Sequence, residues 1–106
     1  MQSKRHQMMT AALALIFSAG MAEAETIEVA VDKMAFSPAD IEAKVGDTIE
    51  WVNKDVFVHT VTVKGGFEIM LPLKKSGSFV MEKAGAIDYY CRFHPNMKGR
   101  IAVSLP

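Results

Sequence analysis

The chain has 106 residues, of which 50% are hydrophobic and 23% are charged, and its formal net charge at pH 7 is zero. This length suits one compact domain and leaves no room for two separate cores. Because the charge is balanced and no lysine and arginine cluster is present, the composition argues against a nucleic-acid-binding protein.

The first 24 residues have the pattern of a secretory signal peptide. Lys4 and Arg5 precede an uncharged stretch at 11–20, and an alanine-x-alanine sequence follows at 22–24. An uncleaved membrane anchor is the alternative, but the apolar stretch is too short to cross a bilayer at ~1.5 Å per residue. We therefore predict cleavage after residue 24, export to the periplasm without stable membrane insertion, and a mature domain at 25–106.

The mature part of the chain has the pattern of a series of short strands. Apolar and polar residues alternate at 26–32, which is the period of a strand with one buried face. Further runs bring the number to about seven, and they lie at 41–43, 49–52, 59–64, 78–81, 86–91 and 100–104. The segment 67–75 lacks a clean period and contains Pro72, so we predict a loop there that lies over one end of the domain.

Many short strands separated by turns, with no sustained helical period, predict an all-β Greek-key sandwich of about seven to eight strands. Trp51, Phe79 and Ile101 stand in the apolar phase of their strands and are predicted to lie in the core. Tyr89 is predicted to form a tyrosine corner, in which the hydroxyl bonds back to the backbone of the preceding turn.

One cysteine stands near the end of the chain. Exported proteins usually use cysteines in disulfides, but Cys91 has no possible partner in its own chain. It begins the sequence Cys91-x-x-His94-x-x-Met97, which places a thiolate, an imidazole and a thioether at intervals of three in one loop between two predicted strands. His59 is the other histidine of the predicted mature chain, because His6 lies in the signal peptide.

Two imidazoles, a thiolate and a weakly bound thioether form the ligand set of copper in electron-transfer sites. We predict a site for one copper ion, alternating between Cu(II) and Cu(I), held by His59, Cys91, His94 and Met97, in a protein that is not an enzyme. Three alternatives remain open at this point. They are a zinc site, a cysteine nucleophile with a histidine base, and separate structural residues without common chemistry.

These residues resemble the blue copper proteins of the cupredoxin family, and the spacing in the cysteine loop is that of the amicyanins within it. The sequences Lys44-Val-Gly-Asp-Thr before Trp51 and Gly85-x-x-Asp-Tyr-x-Cys91 add to the likeness, which runs from about 27 to 103. The resemblance implies the same four copper ligands and single-electron transfer through an apolar surface at the edge of His94. The candidates for that surface are Met34, Phe57, Leu73 and Pro95.

The resemblance also implies redox partners, which for amicyanins are methylamine dehydrogenase and a c-type cytochrome, and we expect a monomer. The chain departs from the amicyanin pattern at Thr60, which replaces an asparagine, and at Phe93 and Asn96, which replace proline and phenylalanine. We expect the Thr60 hydroxyl to tie the two ligand loops together and the reduction potential to be altered. Copper delivery or buffering is the alternative function, although it favours more numerous exposed methionines than this chain has.

Overall fold

The computed structural model describes residues 23–106, and this part of the chain contains nine β-strands and no helix. The predicted signal peptide lies outside the described residues, except for its last two. Among the described residues there is accordingly no helix of the length and hydrophobicity that a membrane span requires. The strands are β1 Thr26–Asp32, β2 Ala35–Ser37, β3 Asp40–Lys44, β4 Thr48–Asn53, β5 His59–Thr62, β6 Glu68–Leu71, β7 Ser76–Val80, β8 Gly85–Tyr90 and β9 Lys98–Ser104.

The strands form two sheets. The first has the order β2-β1-β4-β7 and the second the order β3-β9-β8-β5-β6. Two of the pairs, β1 with β4 and β3 with β9, are parallel, and the others are antiparallel. Parallel neighbours cannot be joined by a hairpin, so the chain crosses between the sheets. The predicted all-β sandwich is confirmed, with nine strands where seven to eight were expected.

The core lies between the two sheets and is built by the alternation along the strands. Trp51 and Ile101 are fully buried, as predicted, while Phe79 is only partly buried and stacks on Phe67 with ring centroids 4.0 Å apart. The predicted tyrosine corner at Tyr89 is wrong. Its ring packs edge-on against Trp51 at 5.6 Å, and its hydroxyl, buried in the core, has no hydrogen-bond partner.

Two short strands were missed by the sequence pattern. β2 has only three residues, and β6 lies inside the segment predicted as a loop. β6 pairs antiparallel with β5, with His59 opposite Leu71 and Val61 opposite Ile69. Pro72 follows β6 directly and so ends the strand instead of interrupting it.

Four loops meet at one end of the sandwich, which we call the loop end. They are residues 33–34, 54–58, 72–75 and 91–97. The strand registers place them together, because Val31 lies opposite Asn53, Val52 opposite Ser76 and Tyr90 opposite Lys98. The predicted copper ligands lie at this end, either at the start of a strand or in one of these loops.

Candidate metal centre

The loop 91–97 folds as two successive turns. The backbone N–H of His94 donates to the carbonyl of Cys91 at 3.2 Å, and that of Met97 donates to the carbonyl of His94 at 2.9 Å. Cys91 N–H in turn donates to the carbonyl of Met97 at 3.0 Å, which closes the loop. The spacing of three residues therefore has a structural reason, since each of the three side chains stands at the start or end of a turn.

Three of the four predicted ligands converge. The Cys91 sulfur lies 3.6 Å from Nδ1 of His59 and 3.7 Å from Nδ1 of His94. All three potential ligand atoms lie within 4.8 Å of one another. His59 reaches this point from the start of β5, which lies in the same sheet as β8 and β9. His59 is 32 residues away from Cys91 in the sequence but is its direct neighbour in the fold.

The sulfur side of the cluster is screened from solvent. Cys91 and His59 have no exposed surface, and Met97 is 4% exposed at the far end of the loop. The backbone N–H of Thr60 donates to the Cys91 sulfur at 3.4 Å. The sulfur is therefore contacted by the backbone of β5 as well as by its own loop.

Asp55 holds the ring of His59. Its Oδ2 atom accepts a hydrogen bond from Nε2 of His59 at 2.8 Å, so Nε2 carries the proton and Nδ1 keeps a free lone pair on the side of Cys91. The carboxylate also accepts the backbone N–H groups of Lys33 at 2.8 Å and Met34 at 3.0 Å. Burial alone would raise the pKa of Asp55, but the bonds donated by Met34, His59 and Lys33 lower it below its ordinary value.

Asn53 positions the loop that carries Asp55. Its side-chain oxygen accepts the N–H of Asp55 at 2.9 Å, and its amide nitrogen donates to the carbonyls of Phe57 and Leu71, each at 2.9 Å. Asn53 is buried at the end of β4, in the first sheet, whereas Leu71 ends β6 in the second. The support of His59 therefore connects the two sheets.

A closed ring of hydrogen bonds surrounds the start of the cysteine loop. The N–H of Arg92 donates to the hydroxyl of Thr60 at 2.7 Å. The oxygen of this hydroxyl lies 2.8 Å from the hydroxyl oxygen of Thr62. Thr62 donates to the carboxylate of Glu68 at 2.8 Å, so the hydroxyl of Thr60 donates to Thr62. The ring closes where the guanidinium of Arg92 binds both oxygens of Glu68, at 2.9 and 3.1 Å. Thr60 thus ties the two ligand loops together as expected.

The Arg92 guanidinium and the Thr62 hydroxyl hold the pKa of Glu68 below its ordinary range. The carboxylate is therefore ionised at neutral pH and remains an acceptor for both groups. A fixed acceptor at this point sets the donor direction in the whole ring.

His94 lies at the surface side of the cluster. Its ring is partly buried, with its centroid 5.1 Å from that of His59 and 6.3 Å from that of Phe57. Met34, Phe57, Leu73 and Pro95, which were expected to form an apolar surface here, are all exposed in the loops of this end. Val56 and Phe93, 64% and 46% exposed, extend it. We call these six residues the apolar surface.

The donor set fits copper. Two neutral imidazole nitrogens and a thiolate can lie around one ion, and the third side chain of the loop is a thioether, a soft ligand that zinc rarely takes. The buried cysteine is a poor candidate for a nucleophile, because no substrate can reach a sulfur with no exposed surface.

Sequence analysis did not identify Asp55, Asn53, Glu68 or Thr62 as parts of the site. Asp55 offered one signal, because it is the single acidic residue in the loop 54–58 that leads to His59. Glu68 offered none, since its contact with Arg92 depends on the pairing of β6 with β5.

The fold and the cluster define a small β-sandwich protein that brings a His, a Cys and a second, partly buried His together as a candidate metal site. The family model described as a cupredoxin-like domain matches residues 6–103, and the chain belongs to this family. Membership identifies copper as the cofactor and the protein as a blue copper electron-transfer protein.

Known amicyanins are similar to this chain. The amicyanin of Paracoccus versutus is 30% identical over 87 residues, which are 76% of this chain and 66% of that protein. The amicyanin of Paracoccus denitrificans is 30% identical over 94 residues, covering 82% of this chain and 72% of the relative. A solved structure of the reduced Cu(I) form of an amicyanin variant superposes with a TM-score of 0.71 at 30% identity, covering 81% of this chain and 88% of that one.

Proposed function

We propose that His59, Cys91, His94 and Met97 bind one copper ion and that this site carries single electrons between two redox proteins. The observation that carries the proposal is the convergence of Nδ1 of His59, Sγ of Cys91 and Nδ1 of His94 within 4.8 Å. When bound, copper supplies a one-electron couple between Cu(II) and Cu(I). The remaining steps depend on what the chain does around these atoms.

The protein holds the ligand atoms in place before metal binds. Asp55 keeps His59 in the tautomer with a free Nδ1, and Thr60 N–H donates to the Cys91 sulfur. The loop turns and the hydrogen-bond ring fix the backbone between Cys91 and Met97. Because the ligands are held from several sides, we expect them to move little when the electron arrives or leaves, which favours rapid transfer.

The route for the electron is through His94. It is the ligand candidate that is not fully buried, and Phe57 of the apolar surface lies beside its ring, with centroids 6.3 Å apart. An exposed apolar surface of this kind suits transient contact with another protein, since it can be desolvated without loss of hydrogen bonds. The other two members of the cluster are fully buried and offer no comparable path.

We propose a periplasmic, monomeric carrier whose donor is methylamine dehydrogenase and whose acceptor is a c-type cytochrome. The support for these partners is the similarity to amicyanins. The test is stopped-flow mixing of the oxidised protein with reduced methylamine dehydrogenase, and of the reduced protein with an oxidised c-type cytochrome. Saturable electron transfer in both steps supports the assignment, and transfer in neither step contradicts it.

The ligand assignment of Met97 is tested by comparing two buried methionines. Met97 and Met81 are 4% and 1% exposed, but Met81 lies at the opposite end, where its N–H donates to the carbonyl of Asp47. Replacement by leucine nearly conserves volume and should cost less than about 1.5 kcal/mol at either position. We expect Met97→Leu to retain copper with a changed reduction potential and Met81→Leu to leave the potential unchanged, as measured by voltammetry. Equal potentials in both variants would exclude Met97 as a ligand.

A further inference from the structure

Four exposed lysines stand at the loop end. They are Lys33, Lys54, Lys74 and Lys75, which we call the lysine rim. Each belongs to one of three loops, 33–34, 54–58 and 72–75, that also supply residues of the apolar surface. Positive charge and apolar surface are therefore presented together.

Hydrogen bonds connect these loops to the metal centre. The N–H of Lys33 donates to Asp55, the residue that holds His59. Lys74 places its ammonium group 2.7 Å from the carbonyl of Lys54, which brings two members of the lysine rim side by side. The rim is thus built into the same framework as the ligands.

Neighbouring carboxylates neutralise only part of the positive charge at this end, where Asp32 at the end of β1 accepts the N–H of Lys33 at 3.0 Å. None of the four lysines takes part in an ion pair among residues 23–106. In the four loops of this end, Asp55 is the one carboxylate, and it is 9% exposed and already engaged by His59. Arg92 adds no free charge because Glu68 pairs with it.

The rest of the described chain carries the compensating negative charge. Exposed carboxylates lie on the strands or in a turn at the other end, at Glu28, Asp40, Glu42, Glu82 and Asp88. The formal net charge of the whole chain is zero. The loop end is therefore positive in a molecule whose total charge predicts no such preference.

We propose that the loop end docks a redox protein that presents acidic residues around its own electron port. This inference rests on the proposed function, since it takes the edge of His94 as the port. The apolar surface supplies area that can be desolvated, and the lysine rim supplies orientation and a faster encounter with a negative partner. Charge complementarity thus selects among the redox proteins that the apolar surface alone would accept.

The first experiment does not require copper. Hexacyanochromate(III) is a redox-inert, paramagnetic trianion, and it broadens the NMR signals of residues where it binds. In the metal-free protein we expect broadening of the amide signals of Lys54 and Lys75, but not of Lys64 and Lys83, which lie in turns at the opposite end. Broadening distributed equally between the two ends would overturn the proposal while leaving the electron-carrier function untouched.

The second experiment measures electron transfer from the copper-loaded, reduced protein to two small oxidants of opposite charge. One electron leaves the protein and reduces hexacyanoferrate(III) to hexacyanoferrate(II), or tris(phenanthroline)cobalt(III) to its cobalt(II) form. We expect the rate with the anion to fall about fivefold from 0.01 to 0.15 M ionic strength, as the Debye length shortens from ~30 to ~8 Å. The rate with the cation should rise over the same range.

Matched variants assign this effect to the lysine rim. Lys54→Gln/Lys75→Gln removes two positive charges whose side chains make no hydrogen bond among residues 23–106, and Lys64→Gln/Lys83→Gln removes two at the other end. We expect the first pair to lower the rate with hexacyanoferrate(III) about fivefold at 0.01 M ionic strength and the second pair to have little effect. Equal effects would contradict the proposal, whereas failure of both oxidants to react would contradict the proposed function.

The final experiment uses a protein partner. A c-type cytochrome with a lysine-rich surface is compared with the same cytochrome after succinylation, which makes its lysines acidic. We expect the succinylated form to react faster with the wild-type protein, and this advantage to shrink in Lys54→Gln/Lys75→Gln. A faster reaction with the basic cytochrome would overturn the proposal.

Discussion

Thr60 shows how a single side chain can serve two parts of the site. Its backbone N–H donates to the Cys91 sulfur, and its hydroxyl accepts the N–H of Arg92, the residue that follows. The amicyanin pattern predicted asparagine at this position, but the shorter threonine accepts this N–H directly at 2.7 Å, and Thr62 and Glu68 continue the hydrogen-bond chain. The departure from the family pattern is compensated by a network of this chain's own residues.

This role predicts different effects for two substitutions of Thr60. Thr60→Ala leaves Arg92 N–H without its acceptor and should cost about 1–2 kcal/mol in the free energy of unfolding of the metal-free protein. It should also change the reduction potential of the copper-loaded protein, because the loop that carries Cys91 is no longer tied. Urea unfolding and voltammetry measure the two effects.

Thr60→Ser is the matched control, because it keeps the hydroxyl and removes only a methyl group. We expect it to retain the potential of the wild-type protein. If alanine and serine shifted the potential equally, the hydroxyl would have no part in positioning the loop.

Asp47 joins the start of β1 to the turn between β3 and β4. Its carboxylate accepts the N–H of Glu25 at 2.9 Å and that of Lys44 at 2.8 Å. These two hydrogen bonds lower the pKa of Asp47 below its ordinary value of 3.8. Since the folded protein holds the ionised form, the carboxylate contributes stability above pH 3.8, and this contribution is lost as pH falls through the folded pKa.

We therefore expect Asp47→Asn to be less stable than the wild-type protein at pH 7, because the amide nitrogen that replaces one carboxylate oxygen cannot accept an N–H, so one of the two hydrogen bonds is lost. The difference in the free energy of unfolding should shrink as the pH falls below 3.8 towards the folded pKa, because protonation of the wild-type carboxyl removes the advantage of its charged form. Urea unfolding of both metal-free proteins across this range tests the sign. A difference that stays constant with pH would show that ionisation of Asp47 is irrelevant.

At the scale of the strand pairs, Tyr89 on β8 packs against Gly99 on the neighbouring strand β9. They lie directly opposite each other, and the Tyr89 ring occupies the space above Gly99. A Cβ atom at residue 99 would overlap the Cζ and Oη atoms of Tyr89. The absence of a side chain at one position is what allows the tyrosine ring to enter the core.

Gly99→Ala should therefore destabilise the protein by about 1–3 kcal/mol, since either the ring or the strand must shift. Thermal or urea unfolding of the metal-free protein measures this cost. In a double-mutant cycle with Tyr89→Leu, the two costs should be less than additive, because the smaller side chain leaves room for the new methyl group. Strict additivity would contradict the overlap.

Local patterns predicted the strands that have a clear period and missed those that depend on distant partners. Alternation of apolar and polar residues identified β1 with the bounds that the structure shows, residues 26–32. β6 has the pattern of a loop, and it forms because β5 offers a neighbour with Leu71 opposite His59. The tyrosine-corner prediction failed because the ring of Tyr89 packs into the core over Gly99, where no side chain occupies the space.

The residues of the metal centre also fall into two groups, those that sequence patterns identified and those that they missed. Cys91 and His94 of the cluster could be identified from their spacing and His59 from the small number of histidines, while Met97 stays a predicted ligand. Asp55 and the hydrogen-bond ring could not, because they depend on how β4, β6 and the cysteine loop meet at one end of the sandwich. The types of ligand could thus be predicted from the sequence, while the groups that orient the ligands could be identified only from the folded structure.

For the molecule as a whole, both sheets contribute to one functional end. The second sheet carries the ligand loops, and the first contributes Asp55 and Lys33 from the ends of β4 and β1. The net charge and the composition gave no indication of this polarity, because positive and negative side chains cancel over the chain. Only their positions on the folded protein separate them.

The central claim is that Cys91 supplies a thiolate to a copper ion that carries one electron. It is tested most directly by the visible absorption spectrum of the protein loaded with one equivalent of Cu(II), with Cys91→Ser as the control. We predict an intense charge-transfer band that ascorbate removes and reoxidation restores, and no such band in Cys91→Ser. Absence of the band in wild-type protein shown to contain Cu(II), or its persistence in Cys91→Ser, would contradict the account.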